Sequence, residues 1–318
     1  MDAQHTRIAA GEAQLSDIRL RCPRCGTGVH TLDCPVCRFS IVIGNGIAHA
    51  LPPESAAHLA RFIGDYEQIR TSEGRGSESK DFYLALPYRD TTRKNRGQWQ
   101  MRARSYDYIV RHLLKGSGHD RGNRILDLGA GNGWMSFRLA LAGYQPIAVD
   151  LLTNDCDGLG AARHYQGRLP KLFPRFQAEI CRLPFADEQF DVAVFNASFH
   201  YAEDGEACLR EALRCVRKGG MVIISDTPWY AREESGQQML AERREAFLRS
   251  HGTAADAIAN LGYLTDERLR SMGDALSIHW DVYRPWYGPR WAMRPLIAKL
   301  RGRREPSKFR LYVARKPA

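Results

Sequence analysis

The 318-residue sequence lacks any run approaching the roughly 18 to 20 consecutive apolar residues that a membrane-crossing helix needs. Its opening, MDAQHTRIAAGEAQLSDIRLRC, has no apolar centre of the kind a secretory signal requires, so a cytoplasmic location is expected. There is no internal repeat, which excludes an array of stacked units. Cysteine is sparse outside one cluster: four of the eight stand in CPRCGTGVHTLDCPVC, and Cys156, Cys181, Cys208 and Cys215 are scattered. Without a secretory signal the scattered thiols read as reduced, and no disulfide is expected. A charge excess is missing from most of the chain as well. Residues 281–318 hold eight arginines and three lysines against Asp281 and Glu305, so nine of the ten net positive charges sit there. The first 280 residues are nearly neutral, and any electrostatic partner is to be sought at the basic end.

The organisation follows from local patterns. Cysteine knuckles and a short apolar strand, FSIVIG, lead to NGIAHAL and a helix expected over residues 54–70. TSEGRGSESK reads as a flexible polar loop, and a second loop, RDTTRKNRG, precedes a helix over residues 98–115. From Asn123 onward strands alternate with helices: RILDLG, QPIAVDL, FQAEI, DVAVFN, GMVIISDT, SIHWDVY and KFRLYVARK. Such alternation predicts an α/β fold whose mainly parallel sheet is covered on both faces. The divisions read as 1–50, cysteine-rich piece and tail; 51–120, helical lid and linker; and 121–318, the main domain with a basic insertion at about 284–307.

ILDLGAGNGW places a buried strand before a GxGxG turn and a helix, where a nucleotide-like ligand crosses the end of a sheet. Gly129, Gly131 and Gly133 allow a tight turn and close backbone approach. Two acids point to the ligand. A pyrophosphate would lie against Asp127, whereas S-adenosylmethionine brings an ammonium and a sulfonium that a carboxylate attracts. Asp150, ending the next strand, is placed to accept from ribose hydroxyls. The third glycine also comes one place early for a dinucleotide fingerprint.

Together, LDLGAGNGW, IAVDL, RLPFADEQFDVAVFNASFHY and LREALRCVRKGGMVIISD resemble the class I S-adenosylmethionine-dependent methyltransferases, in particular the type 11 group that includes quinone-biosynthesis enzymes. The resemblance covers roughly residues 98–228. It implies a Rossmann-like, seven-stranded sheet whose last strand is antiparallel, with the donor across the strand ends. It further implies that Asp127, Gly129, Gly131 and Gly133 hold the methionine end, Asp150 and Leu151 the ribose, and Glu179 and Ile180 the adenine, with Asn196 alongside. Glu179 stands where family members often have Asp. By the same resemblance DFYLALPY and QWQMRARSY form a lid from which Tyr83 and Arg102 reach the donor carboxylate. DCDGLG, after Asp150, either continues the adenine pocket or forms a loop.

Methyl transfer is an in-line displacement that depends mostly on positioning. His200 and Tyr201, just beyond a strand end in NASFHY, are the candidate catalytic residues, with packing as the alternative for His200. Asp226, Trp229 and Tyr230 in SDTPWY are candidates for the acceptor wall.

Cys22, Cys25, Cys34 and Cys37 have the spacing of two CxxC knuckles that close a tetrahedral, structural zinc site, with His30 and His49 as bystanders. The piece is similar to the zinc ribbons of ribosomal RNA guanine methyltransferases, although all four ligands here are cysteine. Three functions are open at this point: methylation of a small-molecule or lipid-like acceptor at oxygen, nitrogen or carbon; methylation of an RNA base, with ribbon and basic segment on phosphates; or donor binding without catalysis as a partner protein. The basic segment, residues 290–310, could contact an anionic surface or RNA. On a helical projection Met293, Leu296, Ile297 and Leu300 form an apolar stripe that could instead pack on the sheet.

Overall fold

The computed structural model describes residue 15 and residues 17–115, 122–254 and 256–317. The tail expected ahead of the cysteine-rich piece lies mostly outside them. Two short antiparallel strands, β1 (Leu20–Arg21) and β2 (Gly28–Val29), belong to the cysteine-rich piece, and a hairpin of β3 (Val42–Gly44) and β4 (Ile47–His49) follows. Helix α1 (Pro53–Ser72) starts on a proline, whose missing N–H is harmless in the first turn. It is followed by α2 (Lys80–Ala85) and α3 (Arg96–Tyr108), which runs on as a wider π turn through Ile109–Leu114.

The alternating part then unfolds as expected: β5 (Arg124–Leu128), α4 (Trp134–Leu141), β6 (Gln145–Asp150), β7 (Arg175–Gln177), β8 (Phe190–Asn196), α5 (Gly205–Cys215) and β9 (Val216–Ser225). Helices α6 (Glu233–His251) and α7 (Asp266–Leu276) precede β10 (Trp280–Tyr283). Two short helices, α8 (Pro289–Ala292) and α9 (Arg294–Leu300), lie in the basic insertion before β11 (Leu311–Arg315).

One mixed sheet has the order β10-β11-β9-β8-β5-β6-β7-β4-β3. β5 to β9 are parallel, and β11 runs against both of its neighbours. Among the described residues the sheet has nine strands where the resemblance implied seven. β4 pairs with β7 through Ala48↔Phe176 and His49↔Gln177, and β3 pairs with β4. An unpaired β7 edge would leave its backbone groups open, and the hairpin covers them. The boundary drawn at residue 50 therefore cuts through the main sheet.

Alternate strand residues point to opposite faces, so each strand feeds two cores. Leu126, Leu128, Val149, Phe195 and Ile224 pack on one face with α5, α7 and the cysteine-rich piece. Ile125, Ala148, Val194 and Ile223 pack on the other with α3 and α4. The cysteine-rich piece is tied on by backbone hydrogen bonds from Arg21 N to the Pro184 carbonyl, 3.1 Å, and from Ala186 N to the Arg19 carbonyl, 2.9 Å. The expectation of no disulfide is corrected: Cys181 and Cys208 are bonded, with their Cα atoms 4.0 Å apart. They are distant in sequence, and only the packing of α5 against the segment after β7 brings them together.

Candidate functional site

The carboxyl ends of β5, β6, β8 and β9 lie along one edge, and a cavity of about 330 Å³ opens there. The glycine turn forms its floor. Gly129, Gly131 and Gly133 have φ of +76°, +55° and +75°, a region that side-chain-bearing residues rarely adopt. A Cβ on Gly129 would lie 2.2 Å from the Ser198 Cβ, so the turn needs glycine there for space as well. Gly129 and Gly131 line the cavity; Gly133 does not, and instead starts α4.

Two carboxylates face this space. Asp127 is buried and accepts from the Ser136 hydroxyl at 2.7 Å. Burial pushes its carboxyl up to about 7, which the Ser136 hydrogen bond only partly offsets. Asp150 accepts from the amides of Gly131 at 2.7 Å and Leu152 at 2.8 Å, so it braces the glycine turn. Burial raises its carboxyl to about 6 against those two amide bonds. Two carboxyls raised by burial in one cavity mark a candidate binding site. Leu151, Glu179, Ile180 and Asn196 line the same cavity. One Glu179 carboxylate oxygen is buried with no hydrogen-bond partner among the described residues, while Asn196 accepts from the Ser225 hydroxyl at 2.9 Å.

Of the two readings left open for DCDGLG, its Asp157 favours the pocket, whereas the α1 side of the wall carried no signal in the sequence. Asp157, in DCDGLG, lines the cavity and pairs with Arg70 of α1, while its other oxygen is buried and unpartnered. Burial opposes the Arg70 charge, but the paired Asp157 carboxylate compensates, so it stays a cation. Above the carboxylates stands an apolar wall of Leu59, Phe62, Tyr66, Tyr201 and Ile258. Tyr66 and Tyr201 meet edge to face with centroids 5.2 Å apart. Nothing in the sequence marks Phe62 or Tyr66 as more than the buried face of an amphipathic helix, because the cavity exists only once α1 has crossed the strand ends.

The other predicted residues divide between the cavity and its surroundings. Arg102 lines the cavity, its guanidinium 4.7 Å over the Trp99 ring, and burial, then Arg70 and Arg75, lower it to about 10. Tyr83 is outside the cavity, correcting its assignment to the donor: its hydroxyl donates to the carbonyls of Ser77, 2.6 Å, and Cys156, 2.7 Å. It instead anchors the segment that carries Asp157. Tyr201 is in the wall, whereas His200 lies behind it. Burial, then Arg243, Arg102 and Arg70, lower His200 to about 3, so at neutral pH it is an uncharged and weak base whose Nδ1 has no partner among the described residues. Asp226 accepts from Ser105 Oγ at 2.5 Å, and burial raises its carboxyl. Trp229 and Tyr230 do not line the cavity: the Trp229 ring N–H donates to Asp266 at 2.9 Å, and the Tyr230 hydroxyl accepts from Arg304 at 3.1 Å.

The sulfurs of Cys22, Cys25, Cys34 and Cys37 all lie within 4.8 Å of one another. Cys22 to Cys37 and Cys25 to Cys34 are each 3.5 Å. Zinc–sulfur bonds of about 2.3 Å in a tetrahedron put sulfurs about 3.8 Å apart, so the set fits. His49 is engaged with Gln177 at 2.7 Å and takes no part.

Residues 126–224 match the methyltransferase domain family, so the chain contains a methyltransferase domain. A demethylmenaquinone methyltransferase of Mycolicibacterium paratuberculosis is 28% identical over 177 residues, 54% of this chain and 70% of that protein. A demethylmenaquinone methyltransferase of Mycobacterium sp. (strain KMS) is 31% identical over 105 residues, 33% of this chain and 42% of that one. Among solved structures, a proposed sarcosine dimethylglycine methyltransferase from Galdieria sulphuraria shares the fold at a TM-score of 0.50 and 15% identity, covering 68% of this chain and 86% of that one.

Proposed function

We propose that this chain, an S-adenosylmethionine-dependent methyltransferase, methylates a small, ring-containing, lipid-like acceptor of the quinone class. The observation that carries the acceptor class is the wall of Leu59, Phe62, Tyr66, Tyr201 and Ile258 facing the carboxylates across a single cavity. Aromatic and aliphatic side chains suit a flat apolar ring and offer little to a charged substrate. The relatives named as demethylmenaquinone methyltransferases support the same class. An RNA acceptor gains no support from this wall.

In this reading the donor lies over the glycine turn. Asp127 draws the cationic methionine end, Asp150 accepts from the ribose hydroxyls, and Glu179 and Ile180 meet the adenine; Leu151 and Asn196 complete the bed. Arg102 attracts the donor carboxylate from α3. The donor supplies the methyl group. Tyr201 and Phe62 hold the ring so that its nucleophilic atom lies in line with the methyl carbon; the new bond forms as the sulfur–carbon bond breaks, and the acceptor proton leaves to solvent. His200, neutral and behind Tyr201, positions that tyrosine. Cys22, Cys25, Cys34 and Cys37 hold a structural zinc ion that stabilises a piece too small for its own core.

The test is transfer of label from methyl-labelled S-adenosylmethionine to a short-chain demethylmenaquinone reduced beforehand to its nucleophilic quinol, scored in the organic phase, with RNA as the competing acceptor. Label in the quinone supports the reading. Label confined to RNA, or transferred to neither, overturns it.

A further inference from the structure

The insertion between β10 and β11 resolves the orientation that the sequence leaves open. Its apolar stripe does not pack on the sheet. Met293, Leu296 and Leu300 are 52%, 56% and 78% exposed, and Trp286 is 69% exposed. Of the eleven large hydrophobic side chains exposed among the described residues, six lie between Val282 and Leu300. Scattered exposed apolar groups are ordinary, but this concentration within one short segment is not.

Cations surround the stripe. Arg284, Arg290, Lys299, Arg301 and Arg303 are exposed, and none forms an ion pair among the described residues. The nearby acids are occupied, Glu305 by Lys308 at 3.1 Å and Glu242 by Arg304. Trp291 is steadied by the Arg294 guanidinium 3.9 Å over its ring and by stacking on Phe309 at 5.3 Å. The root of the insertion reaches the site. The Tyr287 hydroxyl is 2.8 Å from Ser105 Oγ, which donates to Asp226, and Arg102, one turn earlier on α3, lines the donor cavity.

We infer that residues 284–307 are a docking element for an anionic bilayer surface, which seats Met293, Leu296 and Leu300 among the acyl chains and the free cations among the head groups. An exposed aliphatic row edged by arginine, lysine and tryptophan is what an interfacial helix presents to lipid. Nucleic acid would use the cations but leave the aliphatic row in water. The occupant is thus a membrane, and the element holds the cavity close to where a lipid-like acceptor resides. This last step rests on the acceptor proposed above; the docking itself does not.

The experiment is co-sedimentation of the full chain with vesicles of phosphatidylglycerol and phosphatidylcholine, against phosphatidylcholine alone, without turnover. The wild type should pellet with the anionic vesicles only. The triple variant Arg290→Gln, Arg301→Gln, Arg303→Gln should partition about a hundredfold more weakly, at about fivefold per cation. Leu296→Ser with Leu300→Ser should lose about tenfold or more. Donor titration on both variants should match the wild type and so show that they are folded. Failure of the wild type to pellet, partition unchanged by both variants, or binding to polyuridylic acid with no dependence on the leucines would overturn the inference. If vesicle binding fails while the short-chain quinone is methylated, only the docking falls; if vesicles bind and no quinone is methylated, only the acceptor falls.

Discussion

Asp150 accepts the amide of Gly131 at 2.7 Å, so the carboxylate at the end of β6 fixes the glycine turn at the end of β5. One side chain thus shapes the cavity and faces into it. Substitutions here act on both fold and ligand, and separate readouts are needed for each.

Gly129 tests the turn itself. Alanine there should destabilise the chain by about 1–3 kcal/mol from the positive φ alone, with more from the overlap with Ser198. Denaturant melts of Gly129→Ala check this; a midpoint equal to the wild type would mean that the turn is shaped differently.

The raised carboxyls predict a pH dependence with a definite sign. In the folded chain without donor, Asp127 keeps its proton up to about 7, against 3.8 ordinarily. The native state therefore binds more protons than the unfolded state across that interval, and this contribution to stability is lost as pH rises from about 4 to 7. A cationic donor favours the ionised form, so the rise in melting temperature on adding S-adenosylmethionine should grow between pH 5.5 and pH 7.5. Asp127→Asn should reduce that growth to the share that comes from Asp150, whose carboxyl is raised to about 6. An equal donor-induced rise at both pH values in the wild type would contradict the assignment.

The aromatic wall should separate acceptor from donor. Phe62→Ala removes acceptor contact without touching the glycine turn, so KM for an apolar acceptor should rise about tenfold while donor affinity stays within about twofold. A variant with unchanged KM would remove Phe62 from the acceptor wall.

The cysteine site predicts coupling over a short distance. Cys34→Ser should release zinc, lower the melting temperature by at least about 5 °C, and weaken donor binding, because β1 pairs with the segment after Glu179 through Leu20 and Phe185. Metal analysis and melting on the same preparation check it. Unchanged metal content or an unchanged melt would refute a structural ion.

Much of this was legible in the sequence. The strands from β5 to β11, the glycine turn, Asp127, Asp150 and the four cysteines announce themselves through short-range patterns, which periodicity and spacing record well. What was illegible depends on long-range contact. The β3–β4 hairpin reads as part of the cysteine piece because nothing local states that β7 needs an edge partner. Asp157 stays undecided between pocket and loop until Arg70, 87 residues earlier, comes to meet it. Tyr83 has the chemistry to reach a donor but spends its hydroxyl on Ser77 and Cys156, and Cys181 meets Cys208 only through packing. The outward turn of Met293, Leu296 and Leu300 was invisible for the same reason, since a helical stripe records amphipathicity but not which side faces the protein.

The donor site is the centre of the account, and calorimetric titration of S-adenosylhomocysteine into the wild type and Asp150→Ala tests it most directly. Loss of the carboxylate proposed to accept from the ribose, which also braces Gly131, should weaken binding at least about tenfold, a difference of about 1.4 kcal/mol, with the variant still folded by circular dichroism. Wild-type affinity in Asp150→Ala would contradict the placement of the donor across the ends of β5 and β6.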